Sequence, residues 1–152
     1  MKKYHGILVP AITPLASPDT VDLPSVKPFF DYMISGGVHG IFILGSTGEG
    51  PALSTAEQKK LILESVKVIG SRVPLLVGIS GASGAASIEL GKFALAAGAD
   101  AVVAAPPCYV PAETEEELFN YYKVLSELFS GKLFVYNMPA LTKVPISPDL
   151  AL

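Results

Sequence analysis

Five short apolar runs punctuate the chain: 6–12 (GILVPAI), 40–44 (GIFIL), 74–79 (PLLVGI), 101–105 (AVVAA) and 133–136 (LFVY). Each is nearly continuous in apolar character instead of alternating. That predicts strands covered on both faces, as in a parallel sheet flanked by helices. Helical patterns fill the intervals. Residues 25–35 follow Pro24 and end at Gly36 and Gly37. Ser54 to Glu57 set out a capping box ahead of a helix stopped by Gly70, and an alanine-rich helix spans 85–97 up to Gly98. Residues 113–129 load Glu113, Glu115, Glu116 and Glu117 into the first turns of a helix, where its dipole favours negative charge.

Strand starts recur about every thirty residues, one βαβ unit each. The pattern is strand then helix four times, a fifth strand, and the start of a fifth helix at SPDLAL. That alternation predicts an α/β fold with a parallel sheet. It can be an open doubly wound sheet or a barrel, and in both the functional groups gather at the carboxyl ends of the strands. Those ends read ITP, GSTGEG, SGASG, PPCYVP and YNMP. A site spread over all five suits a (β/α)8 TIM barrel better than one crevice. Against the ~250 residues of a complete barrel, residues 1–152 are expected to form a single incomplete barrel domain, truncated after about strand five.

Composition narrows the partners. Eleven Lys and Arg against fourteen Asp and Glu give a net charge of −3, with no basic run, which argues against nucleic acid. No apolar run approaches the ~20 residues that cross a bilayer, and the N-terminus is too proline-broken for a signal peptide. Cys108, the single cysteine, can make no internal disulfide. A soluble cytoplasmic protein is expected. No His, Cys, Asp or Glu cluster has metal-ligand spacing, so no metal is expected. The histidines, His5 and His39, read as surface or capping groups.

Two stretches carry chemistry. In GSTGEG, glycines flank a Ser-Thr pair at a strand end, so backbone N–H groups and two hydroxyls converge as a small-anion cradle, although a plain capped turn has the same composition. No Gly-Lys-Ser/Thr follows, so it is not a P-loop. In KLFVYNMPAL, Tyr136 stands where an apolar strand gives out into a loop. It is either a satisfied core tyrosine or a reactive group with partners elsewhere. GISGASGAA meets neither the dinucleotide-loop pattern nor the nucleophile elbow.

Taken together, GSTGE after strand two, PPCY after strand four and YNMP after strand five resemble the dihydrodipicolinate synthase and N-acetylneuraminate lyase family of pyruvate-dependent class I aldolases. The resemblance runs from Gly6 to the end of the chain. It implies that Thr47, with Gly45, Gly48 and Thr13, holds the carboxylate of pyruvate, and that Ser46 links a proton relay to Tyr136. It also implies that Tyr109 reaches that relay from an adjacent subunit, hence a homo-oligomer, a dimer or tetramer. The phenol of a tyrosine is a poor base at neutral pH and needs such a relay. No cofactor is implied, because pyruvate is carried as an imine on a lysine.

Two positions depart from the family pattern. The imine-forming lysine stands at the end of strand six, beyond Leu152, so this chain is expected to be inactive alone; Lys143 sits in a proline-flanked loop and makes a poor substitute. Leu141 stands where the synthases carry an arginine for the second carboxylate, and the only arginine here is Arg72, at the far rim. Cleavage of 2-keto-3-deoxy sugar acids to pyruvate and an aldehyde is therefore favoured, with Asn137, Leu141, Ser80 and Thr142 on the aldehyde side. The alternatives are 4-hydroxy-tetrahydrodipicolinate synthase, condensing pyruvate with aspartate semialdehyde, and a catalytically inactive fragment acting only by association.

Overall fold

Apolar side chains within each strand alternate between two buried surfaces, which is why the runs read as continuous. The computed structural model describes residues 4–151. On one surface Ile41, Ile43, Leu75, Val77, Val102 and Ala104 pack against the helices; on the other, Leu76, Ala101 and Val103 pack with Leu8, Phe42 and Phe134.

The strands are β1 (Leu8–Pro10), β2 (Leu15–Ser17), β3 (Thr20–Val21), β4 (Gly40–Ile43), β5 (Leu75–Gly78), β6 (Ala101–Ala104) and β7 (Leu133–Val135). Five of them form one sheet, ordered β1-β4-β5-β6-β7, with every pairing parallel. β2 and β3 form a separate antiparallel hairpin. The expected strands are thus present, each shorter than its apolar run, and the sheet is open where a barrel would close.

Helices α1 (Leu23–Ser35), α2 (Thr55–Ile69), α3 (Gly84–Ala97) and α4 (Glu115–Leu128) link successive sheet strands, followed by the short α5 (Pro139–Thr142) and α6 (Pro148–Ala151). Ser54, Ser83 and Thr114 cap α2, α3 and α4 through their hydroxyls, and Gly70 and Gly98 end α2 and α3 in the left-handed conformation.

Three local expectations need correction. The reciprocal capping box lies at Thr114 and Glu117, not at Ser54 and Glu57. The Glu57 carboxylate instead accepts from the Val21 N–H at 2.9 Å and pairs with Lys60 at 2.6 Å, while the Ser54 N–H donates to Asp19. The hydrogen bonds and the Lys60 charge hold Glu57 below the usual carboxylate range. It thereby anchors the hairpin, whose strands are too short to register as periodic runs. Glu113 precedes α4 instead of lying in its first turn, because Thr114 takes the capping position. Helix α5 is also unforeseen: four residues following Met138 give no helical period.

Among the described residues no helix is long and apolar enough to cross a membrane.

Candidate active site

The strand β4 ends in an unusual turn. Leu44 is buried in the left-handed region at φ 58°, a conformation that costs a residue with a Cβ about 1 kcal/mol or more. The inversion drives the Leu44 carbonyl between two glycines: a Cβ added at Gly50 or at Gly78 would overlap its oxygen. Only glycine admits so close an approach of backbone. The loop is then tied internally, Glu49 N–H donating to Ser46 O and Gly50 N–H to Gly45 O, both at 3.1 Å. Glu49 is itself left-handed, at φ 51°. The Thr13 hydroxyl donates to Gly48 O at 2.6 Å, and the Gln58 amide to Gly50 O at 2.8 Å. Ser46 and Thr47 are left exposed at the tip of a loop with little freedom.

Across the sheet, the Tyr136 N–H continues the β6–β7 ladder by donating to Ala104 O at 2.8 Å, which fixes where its ring stands. The ring meets Phe42 edge-on, with centroids 6.0 Å apart. The Tyr136 hydroxyl lies 3.2 Å from Ser46 Oγ, and either oxygen can donate. Residues ninety positions apart in sequence are thus joined at the strand ends. Behind them, the hydroxyls of Tyr121 and Tyr122 donate to Ala105 O and Ala104 O and clamp the end of β6. Burial pushes both phenols up, so they remain protonated donors.

Ser46 and Tyr136 open onto a cavity of about 280 Å³. Gly45, Tyr109 and Leu141, singled out from sequence, also line it, as do Ser80, Cys108 and Thr142. Thr47 is exposed and is not among the residues that line the cavity, and Thr13 and Gly48, also outside the lining, brace the loop through their mutual hydrogen bond. Asn137 is turned away: its amide donates to Ile146 O at 3.1 Å and accepts from Ile146 N–H at 3.2 Å. Tyr109 is 82% exposed, and its hydroxyl makes no hydrogen bond among the described residues. Lys143 caps the Ala140 carbonyl and does not face the cavity; no described lysine does. His39, at the opposite rim, accepts from the Ile7 N–H and packs edge-on against His5.

Sequence reasoning missed Phe42, Leu44 and Met138 as lining residues. The signal for Phe42 was its register, one residue off the helix-facing Ile41 and Ile43. Nothing in the sequence marked Leu44 as left-handed.

Residues 3–151 match the model of the Dihydrodipicolinate synthetase family. A 4-hydroxy-tetrahydrodipicolinate synthase from Kosmotoga olearia is 33% identical over 98% of the chain and 50% of its own length. An Escherichia coli K12 protein that carries the name of a 2-dehydro-3-deoxy-D-pentonate aldolase is 32% identical over 98% and 49%. The dihydrodipicolinate synthase of Bacteroides thetaiotaomicron superposes with a TM-score of 0.89 at 39% identity, over 96% of this chain and 49% of that one. An E. coli prophage protein of the same family, solved with pyruvate, gives 0.90 at 33%, over 95% and 48%. The chain spans about half the length of these relatives. The open sheet corresponds to the N-terminal half of their TIM barrel.

Proposed function

Because the chain belongs to the dihydrodipicolinate synthetase family, we propose that it supplies the carboxylate-holding and proton-relaying part of a pyruvate-dependent class I aldolase site. The observation that carries this is the contact between Ser46 Oγ and the Tyr136 hydroxyl at 3.2 Å, at the strand ends and on the edge of the cavity.

In this reading, Thr47 and the backbone N–H groups of the loop hold the pyruvate carboxylate by charge-assisted hydrogen bonds. Condensation joins the methyl carbon of pyruvate to the aldehyde carbon. The methyl gives up one proton and the aldehyde oxygen gains one, yielding a 4-hydroxy-2-oxo acid; cleavage runs the same step in reverse. Ser46 and Tyr136 pass that proton. The amine that carries pyruvate as an imine, releasing water on formation and taking it back on hydrolysis, comes from outside the described residues. Tyr109, at the exposed rim, is the relay member that a homo-oligomer would complete across subunits.

Among the described residues no cation lines the cavity. A second carboxylate against Leu141 would be desolvated without a partner, which is costly. The reading therefore favours cleavage of 2-keto-3-deoxy acids to pyruvate and an uncharged aldehyde. Condensation with aspartate semialdehyde is the second reading, supported by the synthases among the relatives.

Titrating the 15N-labelled chain with pyruvate tests the assignment. The Ser46 and Thr47 amides should shift saturably, and borohydride treatment in the same mixture should leave the intact mass unchanged. No shift at these amides would overturn the carboxylate site, and an adduct on one lysine would overturn the placement of the amine.

A further inference from the structure

The polar side chains expected to serve a hydroxylated aldehyde are engaged with the protein itself. Asn137 spends its amide on both backbone groups of Ile146. The Thr142 hydroxyl, buried at the cavity wall, donates to Met138 O or Val144 O and accepts from Val144 N–H. Ser80 accepts from Ala105 N–H at 2.9 Å, leaving one proton to give. Beside them Ala82, Pro106, Met138 and Leu141 present carbon to the cavity, Leu141 being 60% exposed, and none of the described lining side chains is charged.

We propose that the aldehyde handled at this site has an apolar tail, aliphatic or aromatic, lying on Met138 and Leu141, with its carbonyl oxygen directed to the Ser46–Tyr136 pair. This rests on the aldolase reading and narrows it from polyhydroxy to apolar aldehydes. Over Ala82, Pro106, Met138 and Leu141 a hydroxylated tail would exchange water for carbon, with the exposed Tyr109 hydroxyl and the remaining Ser80 proton as the side-chain donors left nearby, and that loss opposes binding. An apolar tail gains by the same transfer.

The test uses the chain labelled with 13C in its Met, Leu and Val methyls. The probes are unreactive alcohol counterparts of three aldehydes: benzyl alcohol, glycerol and 4-hydroxybutyrate. Benzyl alcohol should shift the Met138, Leu141 and Val103 methyls saturably and bind at least about tenfold more tightly than glycerol or 4-hydroxybutyrate, the discrimination usual for an apolar pocket. In Leu141→Arg, a change at an exposed position that leaves the fold intact, the benzyl alcohol affinity should fall about tenfold and that of 4-hydroxybutyrate should rise. Equal or tighter binding of glycerol or 4-hydroxybutyrate overturns the proposal, as does failure of benzyl alcohol to shift these methyls or an unchanged affinity in Leu141→Arg. Pyruvate, read at the Ser46 and Thr47 amides, separates the two levels. A pyruvate response without benzyl alcohol binding defeats this inference alone, whereas benzyl alcohol binding without a pyruvate response defeats the aldolase reading and leaves an apolar-ligand pocket.

Discussion

Two loops border the cavity and are built on opposite plans. Residues 44–50 are locked from within: two left-handed residues, a carbonyl seated between Gly50 and Gly78, and hydrogen bonds from Thr13 and Gln58. Residues 106–112 make no hydrogen bond of their own among the described residues. That loop is tied only at its ends, at Ala105 through Ser80 and Tyr121 and at Glu113 through Glu117. Tyr109 and Val110 stand 82% and 72% exposed on it. The first loop carries its own geometry; the second offers large apolar side chains to whatever covers them. A group that must meet a small anion in fixed register gains from the first plan, because orientation is then settled before binding.

The sharpest test of that division sets one tyrosine against the other. In a polypeptide that turns over, Tyr136→Phe removes only the hydroxyl facing Ser46, and turnover should fall by about 10²- to 10⁴-fold, the range for a positioned acid–base group. Steady-state rates decide it, and an unchanged rate would return Tyr136 to a packing role against Phe42.

A smaller but still large effect is expected at Gly78. Adding a methyl there pushes on the Leu44 carbonyl, so Gly78→Ala should cost about 1–3 kcal/mol, as overpacking of a tight interior does. Urea midpoints measure this, with Pro107→Ala as the counterpart in the untied loop. Equal midpoint shifts in the two variants would erase the contrast between the loops.

Thr13→Val keeps the shape and deletes the hydrogen bond to Gly48 O. The expected loss is about 1 kcal/mol, read by thermal unfolding, together with broader amide signals at Ser46 and Thr47.

The smallest effect on folding belongs to Tyr109→Ala. At so exposed a site the change in stability should stay within about 0.5 kcal/mol, while sedimentation should show weaker self-association. A large destabilisation of the monomer would mean that the second loop is anchored after all.

What could be read in advance follows the same division. Continuous apolar runs located the sheet, and left-handed glycine stops at Gly70 and Gly98 fixed the ends of α2 and α3, since burial on two faces and such caps leave marks on individual residues; α4 stops at Phe129, short of Gly131. The pairing of Ser46 with Tyr136 was legible only through the joint motifs at the strand ends, because nothing local ties residues so far apart. The engagement of Asn137 with Ile146 was not legible: an amide in a loop looks alike whether it faces a ligand or its own backbone. Leu44 left no mark either, because an apolar residue at a strand end gives no sign of a positive φ.

The order β1-β4-β5-β6-β7 is also the order of synthesis. Each strand of the sheet pairs with the one made just before it, so a nascent chain leaving the ribosome can lay down the sheet by accretion, closing one helical crossover at a time. Ser46 is in place on that growing surface long before Tyr136 emerges to meet it. The relay therefore forms only once β7 is made, ahead of the Asn137–Ile146 contact that follows it in the chain, and its appearance would time the completion of β7 during translation.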